Sequence, residues 1–289
     1  MTTATPSRTR DLDVNEISQV VTRLCQEATH FLPEDVEGAL KRASGTEKSP
    51  LGKAVLLEIV ENAAIAREQM VPLCQDTGTT VVMVEVGQDV HLVGGDLRDA
   101  INGGVGQGYT EGFLRASIVD QPLTNRVNTK NNTPAVIHTE VVPGDQVHLT
   151  VIPKGGGCEN MSRFTVMLPA SGRKGVTDFV LRTIEESGGN PCPPLIVGVG
   201  VGGSSEYAMF LAKKGITRQI GEHHPDPEVA QFEIDLLEKV NALGVGPQSV
   251  GGSNTALAVN VETYPTHIAS LPVGVNLQCH SARLKRATL

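Results

Sequence analysis

A chain of 289 residues with 39% hydrophobic and 19% charged residues has the composition of an ordinary globular protein, long enough for one large domain or two. Its net charge of −8 excludes a nucleic-acid footprint and adhesion to an anionic membrane surface. Five cysteines, odd in number and widely spaced, are not a disulfide framework; they fit a reducing cytoplasm, where a thiol is either packing or a metal ligand.

No apolar run reaches the ~18 residues of a membrane span. Met1 to Arg10 is polar, lacks an apolar core and reads as a frayed tail rather than a secretory signal. Asn15 to Phe31 then places Ile17, Val20, Val21, Leu24 and Ala28 at helical spacing, with Cys25 inside the pattern as a small buried hydrophobe. Leu32-Pro33-Glu34-Asp35 opens a second short helix, with acids at its positive end, and Ser49-Pro50 opens a third that runs towards Met70.

That helix runs into Pro72-Leu73-Cys74-Gln75-Asp76-Thr77-Gly78, a turn with a thiol, an amide, a carboxylate and a hydroxyl on consecutive positions. A helix-to-strand junction so dense in metal-binding and proton-handling groups is where chemistry tends to be placed. Strands are predicted over 81–86 and 90–93, then a helix capped by Asp96 through Ile101 and Val105. Residues 135–142 and 146–152, separated by Pro143-Gly144-Asp145, predict a hairpin. Lys154 to Asn160, with Gly155, Gly156 and Gly157, predicts a flexible loop where backbone can approach a ligand closely.

A helix over 175–186 leads to the turn Asn190-Pro191-Cys192-Pro193-Pro194, and a buried strand over 195–201 ends in glycines. Ser204 is expected to cap a helix over 206–214; another helix spans 225–243. Two apolar strands, 256–261 and 271–277, bracket Tyr264-Pro265-Thr266-His267, and Cys279 follows the second. The predicted fold is mixed α/β: a helical N-terminal segment, then mixed sheets flanked by helices, with polar groups collected in Gly/Pro-rich turns.

Three constellations carry chemistry. Cys74, Cys192 and Cys279 each lie at a Gly/Pro-marked or strand-end turn beside a polar group (Gln75, Asn190, His280), and are either buried packing or metal ligands. The paired spacing of a zinc ribbon is absent. Three thiolates without a clear fourth suit a cubane cluster with one iron open to substrate, where it would act as a Lewis acid. Cys158 is the fourth candidate, although its glycine loop equally reads as an anion cradle of backbone N–H groups. Gly198-Val199-Gly200-Val201-Gly202-Gly203 matches a dinucleotide fingerprint, but the acidic strand end expected about twenty residues on is missing, so close strand–helix packing is preferred.

Taken together, Cys74-Gln75-Asp76-Thr77-Gly78, Gly94-Gly95-Asp96-Leu97, Asn132-Thr133-Pro134-Ala135-Val136, Asn190-Pro191-Cys192-Pro193-Pro194 and Tyr264-Pro265-Thr266-His267 give the chain a resemblance to the α subunit, or N-terminal catalytic domain, of class I iron–sulfur fumarate hydratases and the related tartrate dehydratases. It runs from about Asp11 to Leu289, as a single α-subunit-type domain over 1–289. The resemblance implies a [4Fe-4S] cluster on Cys74, Cys192 and Cys279. It also implies that Gln75, Asp76, Arg115, Gly155, Gly156, Gly157 and His267 lie at a C4 dicarboxylate substrate, with Asp76 and His267 as the proton-handling groups. The threonine base and further carboxylate-binding residues of the family come from a β-type domain or subunit that this chain does not carry. A β-type partner, in a dimer of α–β pairs, is therefore expected.

Fumarate hydration leads on the segments around Arg115 and His267. Gly-Gly-Gly-Cys at Cys158, where fumarase-like α subunits usually have serine, makes tartrate the alternative. A non-catalytic cluster-bearing sensor would leave Asp76 and Arg115 without a purpose.

Overall fold

The computed structural model describes residues 9–289. The first eight residues of the predicted tail lie outside the described residues, and Arg10 is already in a strand. In chain order the elements are β1 (Arg10–Asp13), α1 (Val14–His30), α2 (Glu34–Thr46), α3 (Pro50–Gln69), β2 (Thr79–Gly87), β3 (Val90–Val93), α4 (Leu97–Glu111), β4 (Val136–Val142) and β5 (Val147–Lys154). They continue with α5 (Gly156–Glu159), β6 (Arg163–Met167), α6 (Gly172–Ser187), β7 (Leu195–Gly203), α7 (Ser205–Gly215), α8 (Pro227–Ala242), β8 (Ala256–Thr266), β9 (Leu271–Gln278) and β10 (Lys285–Thr288). The fold is mixed α/β, with mixed sheets flanked by helices. No described helix is long and apolar enough to cross a membrane.

The chain forms two compact units. Among the described residues, the first comprises residues 9–31, 69–154 and 283–289. Its four-stranded sheet has the order β10-β5-β2-β4, and a parallel pair joins β1 to β3. The apolar stripe Ile17, Val21 and Leu24 of α1 packs with Ile101, Val105 and Tyr109 of α4, and with Val82, Val84, Leu149 and Val151 of the sheet. Helix starts follow the sequence signals: Asp13 accepts from Asn15 N and Asp96 from Asp99 N, each at an N-cap.

The predicted hairpin over 135–152 is overturned. β4 and β5 do not pair with one another; β2 lies between them, parallel to β4 and antiparallel to β5. β2 and β5, with buried runs, fill the interior of the sheet, and β4, with no fully buried position, takes its edge. The 143–146 connection then bonds to the turn after β2, through Gly87 N to Gln146 O, Gln88 N to Val142 O and Asp89 N to Gly144 O. A hairpin turn signal fixes a chain reversal but does not say which strand fills the space between its arms.

The second unit comprises residues 32–68 and 155–282. Its sheet has the order β6-β9-β7-β8, again with β7 inserted between the sequence-adjacent β8 and β9. Val197 and Val199 of β7 share a core with Val180 and Ile184 of α6 and Leu236 and Val240 of α8. The alternate residues face α7: a Cβ on Gly200 would stand 2.0 Å from the carbonyl oxygen of Ala208, and one on Gly198 would stand 1.9 Å from that of Ala212. The glycine run is thus a close strand–helix contact, as the preferred reading held. Ser204 stands at the N-cap of α7, but its hydroxyl bonds the Glu206 carboxylate at 2.5 Å and not the backbone expected of a cap.

Candidate active site

In the first unit, Leu73 N donates to Thr29 O at the end of α1, which seats the turn that follows. Asp76 N donates to Cys74 Sγ at 3.4 Å, and Gly78 N to Asp76 Oδ1 at 3.0 Å. The Asp76 carboxylate therefore shapes its own turn. Around it, Tyr109 donates its hydroxyl to Thr77 O at 2.7 Å, and Asn132 Nδ2 donates to Gly78 O at 3.0 Å. The buried Thr77 hydroxyl donates to Arg115 O at 2.7 Å, while Ser117 N donates to Asn132 Oδ1 at 2.7 Å. Burial holds the Tyr109 phenol well above its ordinary range, so it remains a donor.

This network brings the Asp76 turn and the Arg115 segment together. Cys74 and Asp76 are half-buried, and Gln75 and Arg115 are exposed. Sequence reasoning singled out the Thr77 hydroxyl without its bracing role, and missed Tyr109, Asn132 and Arg283 as supports of the site. Arg283 is 1% exposed, and its Nη1 donates to Asp76 O. Asn132 stood inside a quoted motif without a role; Arg283 stood in a polar C-terminal stretch that offered no sign of burial.

In the second unit, Cys192 is half-buried at φ 54°, a conformation costly for a residue with a Cβ and often kept at functional turns. His280 N donates to Cys192 O at 3.4 Å, so the structure brings Cys192 beside the strand end that carries the buried Cys279. The predicted flexible glycine loop is instead the helical turn α5, and its Gly157 leaves room for the Cys192 turn: a Cβ there would lie 2.9 Å from Asn190 O. Gly155 is buried, while Gly156 and Gly157 are exposed. Cys158 points inward, 3% exposed, its Sγ 3.3 Å from Gly155 O and 3.7 Å from Gln278 Oε1.

His267 is exposed at a groove of about 510 Å³ lined by Gly203, Ser204, Tyr207, Tyr264 and Thr266. Its Nδ1 accepts from Ala269 N at 3.1 Å, which puts the proton of the neutral ring on Nε2.

Among the described residues, no three His, Cys, Asp or Glu side chains come together as a single-ion site. The Cys74 thiol by itself has the surroundings of an iron–sulfur ligand. A cluster spreads its thiolates over separate irons and accepts hydrogen bonds at sulfur, as Asp76 N offers to Cys74. Cys74 belongs to the first unit, and Cys192 and Cys279 to the second. Cys25 lies in the core of the first unit, where burial pushes its thiol up to about 12.

A family model described as fumarate hydratase (Fumerase) matches residues 18–288. The chain is 42% identical over 281 residues to the "Putative L(+)-tartrate dehydratase subunit alpha" of Methanocaldococcus jannaschii, covering 95% of this chain and 98% of that protein. It is 33% identical over 280 residues to the L(+)-tartrate dehydratase subunit alpha of Escherichia coli K12, covering 96% of this chain and 91% of that protein. The Shigella sonnei protein of the same description gives the same figures. The chain is a hydro-lyase, an enzyme that adds or removes water. It belongs to the fumarate hydratase (Fumerase) family, which implies an iron–sulfur cofactor.

Proposed function

We propose that this chain is the α subunit of a cytoplasmic [4Fe-4S] hydro-lyase that hydrates fumarate reversibly to (S)-malate, its active site completed by a β-type subunit. The observation that carries the reading is the Cys74–Gly78 turn. There a thiol that accepts a backbone N–H stands two residues from a carboxylate, in a turn braced to the Arg115 segment. Cys74, Cys192 and Cys279 would hold the cluster, which supplies an electrophilic metal position for the carboxylate and hydroxyl of a 2-hydroxy acid.

The chain's own groups do the rest. Hydroxide is a poor leaving group, and Asp76 passes a proton to the departing oxygen, a step worth ~10²–10⁴ in rate. Arg115 pairs with a substrate carboxylate through its guanidinium fork. Gln75 and the Gly155–Gly157 backbone bind and orient the dicarboxylate. His267, with its Nε2 proton, is the second proton-handling group. The base that removes the carbon-bound proton comes from the β-type partner, consistent with the "subunit alpha" names of the relatives. The assembly is a dimer of α–β pairs.

The second reading, L(+)-tartrate dehydration to oxaloacetate, is favoured by the relatives' names and by cysteine at position 158. The test is anaerobic reconstitution with iron, sulfide and a β-type subunit, followed by turnover of fumarate, (S)-malate and L(+)-tartrate. The expected outcome is fumarate and malate interconversion with kcat/KM above that for tartrate. The reverse order moves the assignment to tartrate, and full activity of the cluster-loaded chain alone overturns the two-subunit site.

A further inference from the structure

Arg283 is among the largest fully buried side chains of the protein. It lies two residues before Lys285, which pairs with Val151, and so at the end of the sheet where Thr79 pairs with Lys154, just beyond the Cys74–Gly78 turn. Lys154 is equally buried, at 1% exposed. Of the Arg283 guanidinium, Nη1 donates to Asp76 O, while the buried Nε has no hydrogen-bond partner. Arg283 forms no ion pair among the described residues. A buried cation without an anion is expensive, and arginine is almost never fully buried unless paired. The residue it holds, Asp76, is the one whose N–H meets Cys74 Sγ.

We infer that Arg283 is a positioning residue for the iron–sulfur site: it holds the Cys74–Asp76 turn through the Asp76 carbonyl, and its buried positive charge offsets the negative charge that thiolate ligation brings to that turn. This rests on the reading that Cys74 is a cluster ligand. Arg283 is placed to act through the turn and not on substrate. It therefore governs how firmly the cluster is held and at what potential it is reduced, since net charge and hydrogen bonding around the sulfurs set both.

The experiment compares wild type, R283M, R283Q and R283K, each reconstituted anaerobically as the full chain. Iron per chain, the rate of iron release to a chelator and the cluster midpoint potential are read directly. The expected result is wild-type iron uptake but at least ~10-fold faster release in R283M and R283Q. Their midpoint potential should fall, because the lost positive charge favoured the reduced cluster. R283K, which keeps the charge without the fork, should hold the potential near wild type while releasing iron faster. If R283M does not fold, R283Q and R283K carry the comparison. Wild-type release and potential in a folded neutral variant overturn the role of Arg283 alone. A wild-type chain that takes up no iron overturns the cluster reading and this inference with it.

Discussion

The Thr77 hydroxyl donates to the carbonyl oxygen of Arg115 at 2.7 Å, joining the Cys74 turn to a segment 38 residues further along the chain. Thr77 is 1% exposed, so this bond is sheltered from water. It fixes the backbone from which the exposed Arg115 side chain reaches outward. Thr77→Val keeps the volume and removes the donor, at a cost of about 1 kcal/mol. The unfolding midpoint should fall by about 2–4 °C. In the reconstituted two-subunit enzyme, KM for the dicarboxylate should rise several-fold with kcat nearly unchanged, as it should for Arg115→Lys, where a point charge replaces a bidentate fork. Thr77→Ser should restore KM. An unchanged KM in a folded Thr77→Val enzyme would detach Arg115 from this brace.

Asp76 has two duties that one substitution separates. Its Oδ1 accepts from Gly78 N, a bond that asparagine can also make, so Asp76→Asn leaves the turn intact. It removes the group that delivers a proton to the leaving hydroxyl. The expected loss in kcat is about 10²-fold or more, with iron content equal to wild type. Near wild-type kcat would reduce Asp76 to a turn residue and make His267 the next proton donor to test.

The cysteines sort by environment. Cys192 and Cys279 sit on neighbouring turns tied by the His280 amide, and Cys74 accepts the Asp76 amide. Cys158 is turned inward towards Gly155 O and Gln278 Oε1, and Cys25 is sealed in the core of the first unit. Cys74→Ser, Cys192→Ser and Cys279→Ser should each abolish the four-iron absorbance of anaerobically loaded protein. Cys158→Ser and Cys25→Ser should retain it. Loss of the cluster in Cys158→Ser together with its retention in Cys279→Ser would reverse the ligand assignment.

Local features were legible in the sequence because their causes are local. The amphipathic spacing of α1 and the capping Asp96 act within a few residues, and the structure places them as the pattern implies. The glycines facing α7 were legible because the acid that a dinucleotide site needs is missing, which left a close backbone approach as the preferred cause of a glycine run inside a buried strand. Strand order was not legible, since β2 enters between β4 and β5 through pairings that no local signal encodes. The same limit hid the supports of the site. Thr77, Tyr109, Asn132 and Arg283 meet only through the fold, across separations of up to 207 residues, whereas Cys74, Gln75 and Asp76 announce themselves by adjacency.

Glu47, at the end of α2, is nine-tenths buried and works as an anchor for the loop before β8. Its carboxylate accepts from Ser49 N at 2.9 Å, Ser253 N at 2.8 Å, Asn254 N at 3.0 Å and Asn254 Nδ2 at 2.8 Å. Burial alone would push its pKa up, but these hydrogen bonds to the ionised form outweigh it and bring the carboxyl down to about 2 from the usual 4.5. Over that interval the unfolded chain binds a proton that the folded chain does not. The stabilisation is therefore complete above about pH 5 and disappears as pH falls through 4.5 towards 2. Its size at neutral pH is on the order of 3 kcal/mol. Glu47→Gln keeps one acceptor oxygen and loses the charge, so it should unfold at lower temperature or denaturant than wild type at pH 7. The gap should narrow steadily below pH 4.5 when unfolding of both proteins is followed by circular dichroism. A gap that stays constant from pH 7 to pH 3 would mean that the ionised carboxylate is not what holds the loop.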